Sequence, residues 1–196
     1  MLYKVAHILR DKLSWLWDII EWINSVLFSL RYGSRLKTLE FTTVPSQYEI
    51  LEIKDMPTER LVSFFSHQPE NAFTYFRPHG FDRKSLKRLQ GNKAFLAYVL
   101  LDKANDAIAG YCFNRCFFHG QGFRGRMVDI NYRGRGLGTA MNKLLNEVGF
   151  GLGLRLFETV SRDNVASYRS ALSASNVRVV KEMPKNELYL EITNET

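Results

Sequence analysis

The stretch Val128-Asp-Ile-Asn-Tyr-Arg133-Gly-Arg-Gly-Leu-Gly138-Thr139 leads from an apolar, strand-like run into a run with helical spacing, through a turn holding three glycines and two arginines. Glycine lets the backbone turn tightly and approach a ligand closely. The first amides of a helix have no partner inside it, and the helix dipole favours negative charge at that end. The segment therefore reads as an anion site with phosphate as its natural ligand, and Arg133 and Arg135 supply guanidiniums that fork onto phosphate oxygens. A Walker loop would need a Gly-Lys-Ser/Thr ending, which is absent. A dinucleotide fingerprint starting at Gly134 would need glycine or alanine where Thr139 stands, and one starting at Gly136 would need it at Met141.

Upstream of this loop, Gln47 to Ile53 alternates as a first strand, and Thr58 reads as the N-cap of a helix running to Phe65. Phe73 to Phe81, broken by Pro78 and Gly80, reads as a loop, after which Asp82 caps a short helix with Leu86 and Leu89 facing inward. Ala94 to Leu101, Ala107 to Phe118 and Phe123 to Ile130 read as an antiparallel meander. Downstream, Gly136 to Phe150 is helical, Leu154 to Val160 is an apolar strand, Asn164 to Ala174 is a helix, and two strands follow around Val177 and Leu188. The expected architecture is a mixed α/β (α+β) domain around a mostly antiparallel sheet.

Arg133-Gly134-Arg135-Gly136-Leu137-Gly138 resembles the Arg/Gln-x-x-Gly-x-Gly/Ala motif of the GCN5-related N-acetyltransferase (GNAT) superfamily, and the element order from roughly Gln47 to Ile192 is similar too. The resemblance implies an acyltransferase that uses acetyl-coenzyme A as co-substrate. It implies central strands that splay to admit pantetheine between the segments holding Val128 to Ile130 and Leu154 to Val160. The backbone of Arg133, Gly134, Arg135, Gly136, Leu137, Gly138 and Thr139 would then hold the pyrophosphate. Asn164-Val-Ala-Ser167 is similar to the Asn-x-x-Ala/Ser of the superfamily, whose Asn contacts the coenzyme near the thioester; Asn164 also reads as an N-cap, and the two roles can coexist. The chain departs from the pattern at Ala171, where many members carry the tyrosine that protonates the leaving thiolate, and at Ser175-Asn176, which replaces the usual Gly-Phe.

Tyr168, one helical turn before Ala171, is the candidate acid; a packed aromatic is the bland alternative. Freeing an alkylamine of pKa about 10.4 at neutral pH costs roughly 4 kcal/mol, so a base or a water chain to one is expected. His79, in Phe76-Arg-Pro-His79-Gly-Phe81, is the first candidate, with Asp129 and Glu158 as runners-up. The aromatic-Pro-His segment looks like that of superfamily members linked to bacterial polysaccharide synthesis, so an amino sugar or nucleotide-linked amino sugar is the favoured acceptor, ahead of a peptide or ribosomal amine. The competing class is a coenzyme-binding module without catalysis. His7, His67 and His119 have no partner pattern, and no metal site is expected.

The formal charge of +7 on 196 residues suits an anionic partner. No RNA-recognition motif or aromatic-basic interleaving supports nucleic acid. Arg83, Lys84, Lys87 and Arg88 make a basic helix face, read as solvated or as facing a nucleotide phosphate. Cys112 and Cys116 lie in one strand, where four residues span about 13 Å, and so read as buried thiols of a reduced cytoplasmic protein. Residues 1–36 are expected to form an amphipathic helix appended to the acyltransferase domain of residues 37–196. Leu2, Val5, Ile8, Leu9, Leu13, Leu16, Ile19, Ile20, Ile23, Leu27 and Leu30 recur at helical spacing, while Asp18 and Glu21 argue against a spanning helix. Three tryptophans and flanking bases fit peripheral membrane contact through residues 1–31; packing on its own domain or in a homodimer is the alternative.

Overall fold

The computed structural model describes residues 14–39 and 44–194. Most of the sequence expected to form the first half of the N-terminal helix, including Leu2 to Leu13, lies outside them. In chain order the elements are α1 (Ser14–Leu36), β1 (Tyr48–Glu52), α2 (Thr58–Ser66), α3 (Arg83–Gln90), β2 (Phe95–Asp102), β3 (Ala107–Phe117), β4 (Gln121–Val128), α4 (Leu137–Gly151), β5 (Arg155–Ser161), α5 (Val165–Ala174), β6 (Asn176–Met183) and β7 (Glu187–Thr193). From Gln47 onward the expected elements are all present within a residue or two. Thr58 is the first residue of α2 rather than its cap: Pro57 holds the cap position and the Thr58 hydroxyl donates to Gln90 Oε1 instead.

One seven-stranded sheet runs in the order β1-β2-β3-β4-β5-β7-β6. Every pairing is antiparallel except β4 with β5. Strand β2 is buried along its whole length because both faces of the sheet are covered, which explains its unbroken apolar run Phe95-Leu-Ala-Tyr-Val-Leu-Leu101. Leu96, Tyr98 and Leu100 meet α4 through Met141, Leu144, Leu145 and Val148. Phe95, Ala97 and Val99 on the other face meet Leu61, Phe64 and Phe65 of α2 and Leu86 and Leu89 of α3. Cys112 and Cys116 are free, buried thiols, and burial pushes both well above the ordinary thiol range.

Helix α1 lies across the end of the sheet where β2 and β4 begin and β3 ends. Phe28 and Tyr32 enter the core beside Cys116 and Leu152. Asn24 donates from Nδ2 to the Cys116 carbonyl at 2.9 Å and accepts from the Phe118 amide at 3.0 Å. The Ser25 hydroxyl accepts from the Lys93 amide, and Arg31 donates to the Phe118 carbonyl.

The parallel pairing of β4 with β5 covers three rungs only, Gln121 with Arg155, Gly122 with Leu156 and Phe123 with Phe157. Beyond Phe123 and Phe157 the two strands diverge, β4 towards the glycine-rich turn and β5 towards α5.

Candidate active site

A cleft of about 710 Å³ opens where β4 and β5 part. It is bounded by the glycine-rich turn, the start of α5, the far end of β5 and the loop Asn71 to Arg77. The turn is built by backbone conformation. Gly134 and Gly136 both adopt positive φ, 75° and 76°, a region costly for residues with a Cβ. A Cβ at either would meet nothing within 4 Å, so their Cα atoms border open space. Gly136 is the N-cap of α4 and offers no side chain there, so the first amides of a 15-residue helix face the cleft without a side-chain cap. Arg133, Gly134, Gly136, Leu137, Gly138 and Thr139 all line the cleft, and Val128 lines it from β4. This is a cradle suited to a diphosphate.

Arg135 turns the other way. Its guanidinium lies 4.8 Å from the Tyr132 ring centroid and donates to the Asn131 carbonyl, so it braces the turn from outside. Tyr132 in turn donates to Asp102, whose carboxyl is held below its usual range mainly by Asn105 and Tyr132. Ile130 is exposed and lies outside the cleft lining.

On α5, Asn164 does act as N-cap, accepting from the Ser167 amide, and it also lines the cleft. Ser167 accepts from Arg126 through both its carbonyl and its hydroxyl. Arg126 and Arg124, on the same face of β4, converge on Glu158 of β5. Arg124 Nε donates to Glu158 Oε2 at 2.7 Å and Arg126 Nη1 to the same oxygen at 3.1 Å. These are among the first side chains past the last β4–β5 rung, so two strands that no longer share backbone hydrogen bonds are tied by an Arg–Glu–Arg triad. Burial works to raise the Glu158 carboxyl, but the two guanidiniums outweigh it and hold the group below the usual carboxylate range.

The four candidate catalytic residues fare differently. Glu158 borders the cleft with Oε2 held by both arginines of the triad, while Oε1 is buried without a hydrogen-bond partner. His79 does not line the cleft. It is enclosed by Phe65, Phe81, Phe95, Tyr111 and Phe113. Nδ1 lies 2.9 Å from the Gly80 carbonyl, which only accepts, so Nδ1 carries the proton and Nε2 accepts from the Tyr111 hydroxyl at 3.0 Å. Burial pushes its pKa down to about 4. Both nitrogens are thus occupied in this structure. Asp129 caps the turn after β4, accepting from the Asn131 amide and from Gln68. Tyr168 packs on Val160, Leu188 and Leu190. Neither borders the cleft.

Sequence reasoning passed over Glu187, the first residue of β7, which pairs with Ser161 across β5 and lines the cleft. Among the described residues its carboxylate has no ion-pair or hydrogen-bond partner. No local motif flags it, because only the β5–β7 register carries it to this position. Asn71, Thr74, Tyr75 and Arg77 also line the cleft from the aromatic loop, whereas the basic face of α3 does not: Arg83 pairs with Glu59 and Arg88 with Asp18. Among the described residues no group of histidine, cysteine and acidic side chains is arranged to hold a metal ion.

No protein-family model and no curated protein matches the chain in sequence. Solved structures do match. The GNAT domain of S. lividans PAT superposes with TM-score 0.63 at 14% identity, over 74% of this chain and 89% of its own. The chain has the GNAT fold. The ribosomal-protein-S5-alanine acetyltransferase from Vibrio fischeri gives TM-score 0.63 at 16% identity, over 80% and 98% of the two chains. The spermidine N-acetyltransferase from Vibrio cholerae, solved with CoA and spermine, gives TM-score 0.61 at 12% identity, over 76% and 96%. The splayed β4 and β5, with a glycine-rich turn opening α4, are thus features of a GNAT-fold domain, and the triad of Arg124, Glu158 and Arg126 sits at its point of splay.

Proposed function

We propose that the chain transfers an acetyl or other acyl group from an acyl-coenzyme A thioester to the primary amine of a small molecule, by direct attack in a ternary complex. The observation that carries this reading is one continuous cleft joining the Gly134–Thr139 cradle to the gap between β4 and β5. In it the amides of Gly136 to Thr139 and the Arg133 guanidinium hold the pyrophosphate, Val128 borders the pantetheine, and Asn164 and Ser167 stand near the thioester. Arg135 and Ile130 support the turn. The amine forms the new C–N bond at the thioester carbonyl, the C–S bond breaks, and the thiolate takes up a proton. A thiol of pKa about 8.5 leaves without a strong acid, which suits a site with a buried Ala171 in place of a tyrosine.

Glu187 is the cleft carboxylate free to receive the acceptor's ammonium group, whose proton leaves through water. An amino sugar or nucleotide-linked amino sugar suits the rest of the lining: Asn71, Thr74, Thr159 and Ser161 offer hydroxyl and amide partners, Tyr75 an exposed ring, and Arg77 a charge for a diphosphate. The domain division at residue 36 belongs to the same proposal, with α1 docked on the catalytic unit. The test is thiol release from acetyl-coenzyme A across amino sugars, nucleotide amino sugars and peptide amines, with wild type, Glu187→Gln and His79→Gln. Glu187→Gln should lower turnover by about 10² or more while His79→Gln stays near wild type. Tight coenzyme binding with no amine acetylated would favour the binding-module reading, and preference for peptide amines would move the acceptor class.

A further inference from the structure

Helix α1 is mounted with its apolar side outward. Its sheet-facing side carries Asp18, Glu21, Asn24, Ser25, Phe28 and Tyr32, which make the ion pairs, backbone hydrogen bonds and core contacts that fasten it. The opposite side is a stripe of Trp15, Ile19, Trp22, Ile23, Val26 and Leu30 at spacings of three and four, with Ile20 and Leu27 beside it. Trp22 is 67% exposed and Leu30 79% exposed. A soluble monomer seldom leaves so long an apolar stripe bare. Among the described residues no helix is long and apolar enough to cross a membrane.

The charges around the stripe select the occupant. The only acids of the helix, Asp18 and Glu21, are each paired with a base, Arg88 and Arg115. The rim carries exposed Arg31, Arg35, Lys37 and Lys93, on a chain of net charge +7. An anionic lipid surface complements both the stripe and its rim. The stripe also lies at the end of the sheet where β4 and β5 begin, and the cleft at the end where they stop, about 25 Å away along eight residues of β4. We infer that α1 seats the protein on an anionic bilayer surface, with Trp15, Trp22, Leu30 and their neighbours in the headgroup layer and the cleft facing away from the lipid. This rests on the orientation of α1 and stands whether or not the acyltransfer reading holds.

The experiment is co-sedimentation of the full chain with vesicles of phosphatidylcholine alone and of phosphatidylcholine with one quarter phosphatidylglycerol, with tryptophan emission followed in parallel. Binding to the anionic vesicles with a blue shift is expected, weakening as salt rises. Trp22→Glu with Leu30→Glu alters two exposed side chains, so the fold is retained by circular dichroism while vesicle affinity drops about 100-fold. Arg31→Glu with Lys93→Glu should remove the preference for anionic over neutral vesicles. A wild-type monomer that binds neither vesicle overturns the inference. So does a dimer in light scattering that ignores vesicles and becomes monomeric in Trp22→Glu/Leu30→Glu.

Discussion

Replacing His79 by glutamine tests whether that side chain is a buried spacer or a catalytic group. In the folded chain the imidazole is neutral, packed among aromatic rings, with its pKa pushed down to about 4 by burial. In the unfolded chain it titrates near 6.5. Between these values the unfolded state binds more protons, so stability is complete above about pH 6.5 and is drawn down as pH falls towards 4. The full gap is worth about 3 kcal/mol, which for a chain of this length lowers Tm by about 6–12 °C. Glutamine keeps an acceptor for the Tyr111 hydroxyl but does not titrate. Thermal and urea unfolding of wild type and His79→Gln at half-unit steps from pH 7 to 4.5 should therefore show a falling wild-type curve that the variant flattens. The depressed carboxylates begin to lose their contribution below about pH 5, but alike in both proteins, so the difference between the two curves isolates His79. Parallel curves for the two proteins would refute the buried-spacer account and return His79 to the list of exposed, functional bases.

Three further outcomes are expected. Gly136→Val with Gly138→Val should abolish the rise in Tm that acetyl-coenzyme A gives the wild type, since valine is strained at φ 76° and a Cβ at Gly138 comes within 3.1 Å of the Ser170 hydroxyl; an unchanged rise would remove the turn from the coenzyme site. Glu158→Gln leaves Arg124, whose side chain is fully buried, without its counter-charge, and should cost about 3–5 kcal/mol in urea unfolding at pH 7. Wild type should lose this advantage only below about pH 4.3, because the folded carboxyl is depressed, and a variant as stable as wild type would show the triad to be ornamental. Deleting residues 1–31 removes Phe28 from the core, a loss of about 3–5 kcal/mol, yet spares the cleft. The truncated chain should melt lower but still be stabilised by acetyl-coenzyme A, and failure to fold would place α1 inside the domain rather than appended to it.

The order of strands and helices was legible in the sequence because each element carries its own period and punctuation. Asp82 caps α3, Gly136 starts α4, Asn164 caps α5, and the apolar residues of α4 recur at three and four. The Arg133–Thr139 turn was legible for the same reason: positive φ and an uncapped helix start are local requirements that only glycine meets cheaply. Tertiary structure alone decided what each side chain faces. Alternation says that Arg124 and Arg126 share a side of β4, but only the parting of β4 from β5 brings Glu158 between them. His79 in a loop looks like an available base until Tyr111 and Gly80, one of them 32 residues away, claim both nitrogens. Glu187 reaches the cleft through the insertion of β7 beside β5, an order no local pattern encodes. Spacing likewise shows that α1 has two faces, and not which one the domain holds. That choice falls to Asn24, Ser25 and Phe28, whose partners just before β2, on β3 and in the β3–β4 turn are 68 to 94 residues distant for the two polar anchors, and it leaves Trp15 and Trp22 outside.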